Sequence, residues 1–551
     1  MSGSATGSKT VAASGSIFVD SVLVGHGWSG STITYAFPTF ASDYSYSGFN
    51  DNAFNTISSA QKNTALFAME KSFGGSANDG FSVEGFTNVN FSLGNSSDAT
   101  IRFAESGTPA TAEVADFPGN LITFDTADDG DIWFGTADAG TIYDLRKPVA
   151  GNYAWHTLIH ELGHALGLKH AQENLVYGAM PDETNSIEYT VMSYRSFIGD
   201  LGGGYDYEEF GAPQTFMMAD IAALQHMYGA DYSTNSGATV YKWTPDSGTT
   251  FVNGVAAIAP GDNRIFATIW DGGGNDTYDL SAYKTSVSVD LRAGNHSVFD
   301  AGQLAFLGGG PNGGFARGNI FNALLFKSDQ RSLIENAKGG SGSDEIKGNE
   351  VANTLFGNSG NDTLFGFDGN DKLYGGAGRD TLSSGTGNDV MTGGVGADKL
   401  IGGSGTDTAS YADAKAAVRA NLTNSSTNTG DAAGDSYSSI ENLLGSAFND
   451  RLVGNSGVNK ITGGKGNDVL TGGGGADDFY FAKGYGKDLI IDFQNNVDDI
   501  DLRSYNFSSL NSVLVRSTQV GADVQIKFTS TDIIVLHDFK LSDLNASDFI
   551  L

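Results

Sequence analysis

Residues 160–170 read HELGHALGLKH, three histidines and one glutamate within eleven residues. His160 and His164 are four apart, so on a helix they lie on one face, one turn above the other. Two imidazoles so placed can meet a single metal ion. Glu161 points to one side, towards a water on that metal rather than into the ligand row. Gly167 can take a positive φ and end the helix sharply, which lets the chain return His170 as a third nitrogen. Three protein ligands and an open fourth position form a catalytic zinc arrangement, whereas four closed ligands would be structural.

The positioning elements follow from that demand: a helix through 160–166, a turn at Gly167, and a support beneath the metal. The full string, followed by TVMSY at 190–194, resembles the metzincin metalloproteases, in which H-E-x-x-H-x-x-G-x-x-H precedes a Met-turn. The resemblance implies Met192 beneath the zinc. In the serralysin branch it also implies Tyr194 as a further zinc ligand that swings to the substrate oxyanion, and Glu161 as general base. The likeness continues in PQTFMMADIAALQHMYG (213–229), which resembles the helix after the Met-turn, and in GDIWF (130–134), a strand just after AEVADFPG (112–119). In metzincins the strand before such a segment is the cleft edge that pairs with extended peptide. GSIFVDSVLVGHGWSGSTITYAF (15–37) is similar to the opening of the mature enzymes.

From Gly339 a nine-residue period runs through GGSGSDEIK, GNEVANTLF, GNSGNDTLF, GFDGNDKLY, GGAGRDTLS, SGTGNDVMT, GGVGADKLI and GGSGTDTAS. A second block runs from Gly445 through GSAFNDRLV, GNSGVNKIT, GGKGNDVLT and GGGGADDFY. This is G-G-x-G-x-D-x-U-x, the RTX signature of a calcium-binding parallel β-roll. A flexible glycine linker has no reason to repeat aspartate and an aliphatic residue every nine. The glycines permit tight loops with inward carbonyls, and the sixth-position aspartate adds a hard oxygen ligand. Expected calcium ligands in the first block are Gly339, Ser341, Asp344, Gly357, Ser359, Asp362, Gly366, Asp368, Asp371, Gly375, Ala377, Asp380, Asp389, Gly393, Val395, Asp398 and Asp407. In the second they are Asp450, Gly463, Lys465, Asp468 and Asp477. The eighth-position residues (Ile346, Leu355, Leu364, Leu373, Leu382, Met391, Leu400) should fill the core of the roll. Asn353 and Asn459 replace the aspartate, beside Val351 and Val458, and their loops are expected to open first. An isolated unit, DGGGNDTYD (271–279), resembles the calcium loop joining the two domains of serralysins, with Asp271, Gly273 and Asp276 as ligands. Spacing alone does not identify its second half.

The 551 residues allow several domains with proper cores. The chain lacks cysteine, so neither disulfides nor thiolate zinc build it. Its 64 acidic residues against 31 basic ones give a net charge of −33, which excludes tracking of nucleic acid backbones. No apolar run approaches the ~20 residues of a membrane span. MSGSATGSKTVAASGS has neither the basic start nor the apolar run of a signal peptide. The terminal SDFIL instead resembles the uncleaved export signal of one-step secretion in Gram-negative bacteria.

The expected fold is an α+β metzincin catalytic domain followed by an all-β parallel β-roll. Its expected parts are a propeptide or disordered N-terminus (1–14), the catalytic domain (15–250), the roll (251–480, with a non-repeat insertion at 411–444 that extends or caps it) and a C-terminal β cap with the secretion signal (481–551). The expected function is a secreted, monomeric zinc endopeptidase with one catalytic Zn²⁺ and several structural Ca²⁺. Its expected partners are protein or peptide substrates, the type I secretion machinery and a proteinaceous protease inhibitor. A non-catalytic RTX surface or adhesion protein is the alternative, and the intact Glu161 argues against it. A pore-forming RTX cytolysin would need long apolar helices that this sequence lacks.

Overall fold

The computed structural model describes residues 7–49, 53–73, 75–109, 111–119, 127–202 and 204–551. The chain divides into two compact units: residues 1–282 with 289–334, and residues 283–288 with 335–551. The boundary expected after 250 is therefore displaced. Val255–Ile258 pairs with Ser247–Val252, and Ala267–Ile269 pairs with Ile320–Asn322, so both belong to the first unit. Phe266, Ile269, Ile320 and Phe321 in and beside these strands are buried and do not follow the nine-residue pattern.

The first unit is α+β, as expected. Strands β1 (Thr32–Ala36), β2 (Asn90–Leu93), β3 (Ile101–Ser106), β4 (Ala112–Val114) and β5 (Ile132–Gly135) form one sheet in the order β2-β1-β3-β5-β4. All pairs are parallel except β4 with β5, so β4 is an antiparallel edge strand. β3 and β5 are buried along their whole length, as central strands with both faces covered must be. Arg102 on β3 is buried, and its guanidinium forks onto Asp131 at the mouth of β5 (2.8 and 2.6 Å). Tyr46 adds a hydroxyl to the same carboxylate, so this buried pair is hydrogen-bonded on both oxygens.

The first unit has three longer helices, α1 (Ser59–Met69), α2 (Tyr153–Leu166) and α3 (Met218–Tyr228), of which α2 packs on the sheet. α1 opens with a capping box in which Ser58 and Gln61 satisfy each other's amides. α2 is capped by Asn152, whose side chain accepts from Trp155 N–H at 2.9 Å. It is buried on nearly every side and packs against α1 and β4.

Residues 8–14 are ordered, unlike the loose N-terminus expected. Ser8–Thr10 pairs with His26–Trp28, the Lys9 ammonium donates to the Met227 carbonyl, and Asp20 holds the amides of Ser14 and Gly15. These contacts make the segment part of the first unit. Residues 1–6 lie outside the described residues.

The second unit is a parallel β-roll, as expected. Thr354–Ser359 pairs with Lys372–Gly378, and Lys372–Gly378 in turn with Val390–Gly396, each register shifted by 18 residues. Thr363–Asp368, Thr381–Thr386 and Lys399–Ser404 form the facing ladder with the same shift. One turn of the roll is therefore two nonapeptides. The eighth-position side chains from Ile346 to Leu400 are at most 1% exposed, stacked along the interior. The insertion extends the roll: Ser436–Ser438 joins one ladder, Asn442–Leu444 the other, and Arg419–Asn421 starts a third. At the far end Ile533–Leu536 still pairs in parallel with Lys487–Ile490. Asp523–Lys527 and Ser517–Val520 then turn antiparallel and end the coil.

Candidate metal centre

Gly167 closes α2 with φ +108°, and its amide turns back to the helix carbonyls. A side chain there would also strike the His26 carbonyl, 2.4 Å from where its Cβ would lie. Glycine is thus needed for conformation and for space. The turn brings His170 to His160 and His164, and one ligand atom from each of the three lies within 4.8 Å of the others.

Each ring is fixed through its Nδ1. His160 Nδ1–H donates to the Val191 carbonyl (2.7 Å), His164 to the Leu168 carbonyl (2.8 Å) and His170 to the Glu173 carboxylate (2.8 Å). With Nδ1 carrying the proton, each Nε2 presents a lone pair. His164 Nε2 and His170 Nε2 stand only 3.0 Å apart. Two bare lone pairs at that distance repel unless a cation meets them, so the donor set fits a divalent ion that accepts imidazole. Tyr194 also reaches this point, its hydroxyl 2.6 Å from His170 Nε2.

Glu161 lies beside the three histidines on the wall of a cleft of about 210 Å³, lined also by residues 112–117, His164, His170 and Tyr194. Burial pushes its carboxyl up to about 8, against the lowering effect of a hydrogen bond from the Val114 backbone. Met192 is fully buried, its Sδ 2.7 Å from where a Cβ on Gly163 would lie. Any larger residue at 163 would push Met192 off the underside of the helix.

Three supports are absent from the sequence reading. Asp220, in the first turn of α3, accepts from Thr190 Oγ1 and Val191 N–H, which ties that helix to the Met192 turn. Glu173 orients His170. Lys169 is wholly buried and donates to the carbonyls of Ser21, Glu173 and Gly178 (2.5, 2.7 and 3.0 Å), locking the third-ligand turn to the N-terminal segment.

In the roll, Asp362 N–H donates to Asp380 Oδ1 one turn on, and Asp380 N–H donates to Asp398 Oδ1. The same ladder joins Asp371, Asp389 and Asp407, and in the second block Asp450 and Asp468. The other oxygen, Oδ2, of Asp362, Asp371, Asp380, Asp389, Asp398, Asp407, Asp468 and Asp477 is buried without a hydrogen-bond donor. Rows of such oxygens fit a hard cation. Gly357, Gly366, Gly375, Gly393 and Gly463 make room for them, since a Cβ at each would lie 2.1–2.4 Å from an Oδ2.

The other expected calcium residues divide. Asp344 and Asp450, at the heads of the blocks, have Oδ2 engaged by the amides of Gly340 and Ser446. The Asp368 carboxylate accepts from the Thr386 hydroxyl, the Gly339 carbonyl from the Asn358 amide, and the Ala377 carbonyl from Gly360 N–H. Ser341 N–H donates to Tyr283. Ser359 and Val395 pair with Ala377 in the ladder, and Lys465 is exposed. The insertion supplies ladder acids that periodicity hides: Asp398 N–H donates to Asp435, and Asp407 N–H to Glu441.

At the two departures the asparagine side chains make hydrogen bonds of their own. Asn353 Nδ2 donates to the Glu335 carbonyl and Asn349 Oδ1, and Asn459 Nδ2 to the Glu441 carbonyl and Asn455 Oδ1. The neutral amide carries its own donor, which the aspartates elsewhere lack.

Asp271 and Asp276 face each other. Burial and mutual repulsion raise Asp271, although it accepts from Tyr241 and Gly273. The second half of this loop is residues 234–239. Thr239 N–H donates to Asp276, Gly272 N–H to the Thr234 carbonyl, and the Gly237 carbonyl fills the space over Gly274.

The RTX calcium-binding nonapeptide repeat family matches residues 348–382, 374–409 and 443–484. The chain is 31% identical over 323 residues to Metallopeptidase AprA of Pseudomonas marginalis, covering 57% of this chain and 59% of that protein. It is 37% identical over 205 residues to Serralysin of Proteus mirabilis, covering 36% of each. With Serralysin G of Dickeya chrysanthemi the identity is 33% over 223 residues, covering 39% of this chain and 40% of that one. The matches thus span from 36% to 59% of the relatives' lengths. Among the described residues, no helix is long and apolar enough to cross a membrane.

Proposed function

From this likeness to serralysin-type metalloproteases with RTX calcium-binding repeats, we propose a secreted zinc endopeptidase whose roll is held folded by calcium. The observation that carries the reading is the convergence of three Nε2 lone pairs beside Glu161 on an open cleft. His160, His164 and His170 would hold the zinc. Bound there, zinc supplies a Lewis acid and lowers the pKa of a water towards 7.

The protein's own groups do the rest. β4 is an edge strand lining the cleft, so its free side offers backbone groups to an extended peptide. Glu161, within reach of the attacking water, takes its proton and returns it to the leaving amine. A cation at the histidines would draw the raised Glu161 carboxyl back towards the range a base needs. Tyr194 is 43% exposed, and burial with neighbouring carboxylates raises its hydroxyl to about 12. Its hydroxyl reaches the histidine centre and can donate a hydrogen bond to the oxyanion as that charge develops.

Casein hydrolysis in calcium buffer, abolished by a zinc-selective chelator and restored by zinc, tests the reading. A folded, zinc-loaded protein that leaves casein and peptides intact would favour the non-catalytic alternative. Tyr194→Phe is expected to lower kcat by roughly 10- to 10³-fold with KM little changed. An effect on KM alone would make Tyr194 a substrate-binding or packing residue.

A further inference from the structure

A second cavity, of about 230 Å³, is lined by Asp138, Tyr143, Tyr153, Tyr205 and Tyr207. It adjoins the metal centre. The Tyr205 ring stands 6.3 Å from that of Tyr194, and Tyr153 lies on α2 two turns before His160. We propose that this cavity receives a lysine or arginine side chain of the peptide being cut, an inference that rests on the peptidase reading above.

Four tyrosine rings wall the space. Tyr143 and Tyr153 meet edge to face at 5.3 Å and Tyr153 and Tyr205 at 6.3 Å, while the Tyr205 and Tyr207 rings lie tilted by 31° at 5.2 Å. Two hydroxyls are already tied down: Tyr205 donates to the Ser193 carbonyl (3.1 Å), and Tyr207 lies 3.0 Å from His156 Nδ1. What they leave to an occupant is ring surface, whose negative π faces attract cations.

Charge points the same way. Asp138 contributes a carboxylate with no ion pair among the described residues, whereas Arg146 and Lys147, the next cations along the chain, are held by Asp144. The Tyr153 hydroxyl is raised by burial first, and the charges of Asp138 and Glu161 raise it further. An aliphatic or aromatic side chain would cover Asp138 and leave it unpaired, at a cost a cation avoids. The volume falls below the ~300 Å³ at which small-molecule sites begin and suits one long side chain.

The test uses one fluorogenic peptide series, with arginine, lysine, norleucine, phenylalanine or glutamate placed in turn at each position flanking the cleaved bond. At one position the full-length, zinc- and calcium-loaded enzyme is expected to cut arginine and lysine peptides with kcat/KM at least ~10-fold above norleucine. Asp138→Asn should shrink that ratio to below ~3, and Asp138→Lys should invert it towards glutamate. Equal rates for arginine and norleucine at every position, or a preference for phenylalanine that Asp138→Asn leaves unchanged, overturns the proposal. Casein assayed in parallel separates the two readings, because an enzyme that cuts casein without cationic preference loses this inference alone. Where no peptide is cut, fluorescence anisotropy of the arginine and norleucine peptides on the same protein decides. Tighter arginine binding, lost in Asp138→Asn, supports the cage, and equal affinities sink it.

Discussion

Glu161→Ala is expected to keep its zinc and lose proteolysis by at least 10²–10⁴-fold. Glu161 is the carboxylate that lines the cleft from the metal helix itself, buried and hydrogen-bonded to the edge-strand backbone at Val114. It serves as base in the attack and as acid for the leaving amine, so one substitution removes both transfers. The three Nδ1 hydrogen bonds to Val191, Leu168 and Glu173 do not involve it, so the histidines should remain aimed. Zinc content by mass spectrometry and kcat/KM on casein are measured on the same sample. Near-normal turnover in the zinc-loaded variant would reassign the proton carrier.

Chelating calcium while zinc is buffered is expected to unfold residues from about 339 onward and leave α2 helical. The buried Oδ2 rows are the cause: eight carboxylates without donors cannot be held together as anions without a cation. Burial raises Asp371, Asp380 and Asp468 to about 7, and Asp398, Asp407 and Asp477 to about 6. A raised carboxyl binds its proton more tightly in the folded roll than in the unfolded chain. Its contribution to stability is present below the ordinary carboxylate range and is lost as pH rises through about 6–7. The calcium-free roll should therefore be better ordered near pH 4.5 than near pH 8. Hydrogen exchange at both pH values, with and without calcium, measures this. The loops at Asn353 and Asn459, closed by their own amides, should keep the most protection. Unchanged protection across the repeats at sub-micromolar calcium would end the calcium argument.

The centre was legible because its chemistry is local. One helical turn separates His160 from His164, and one left-handed glycine returns His170. The roll was legible because its period is strict, although the text shows nine residues and the structure turns in 18. What stayed hidden depends on contacts remote in sequence. Asp220 reaches Thr190 and Val191 across some thirty residues, and Lys169 reaches Ser21 across 148. Asp435 and Glu441 complete aspartate ladders from inside a segment with no period. The hydrogen bonds of Asn353 and Asn459 stayed hidden for a different reason. A missing carboxylate looks like a lost ligand on paper, yet the amide that replaces it brings the donor that the loop lacked.

The 18-residue register makes the length of the roll a quantised property. Excising two consecutive nonapeptides, such as 363–380, would let Leu355 stack on Met391, the next core residue of its own ladder, and every later strand would keep its side. Excising one nonapeptide would hand each later strand to the opposite ladder. The ladder of Leu355 runs on to Asp499–Asp501, and the third ladder, begun at Arg419–Asn421, runs on to Lys487–Ile490, so each cap strand awaits a particular neighbour. A cap arriving half a turn out of phase meets the wrong face, so drift in the length of this chain is channelled into even numbers of repeats.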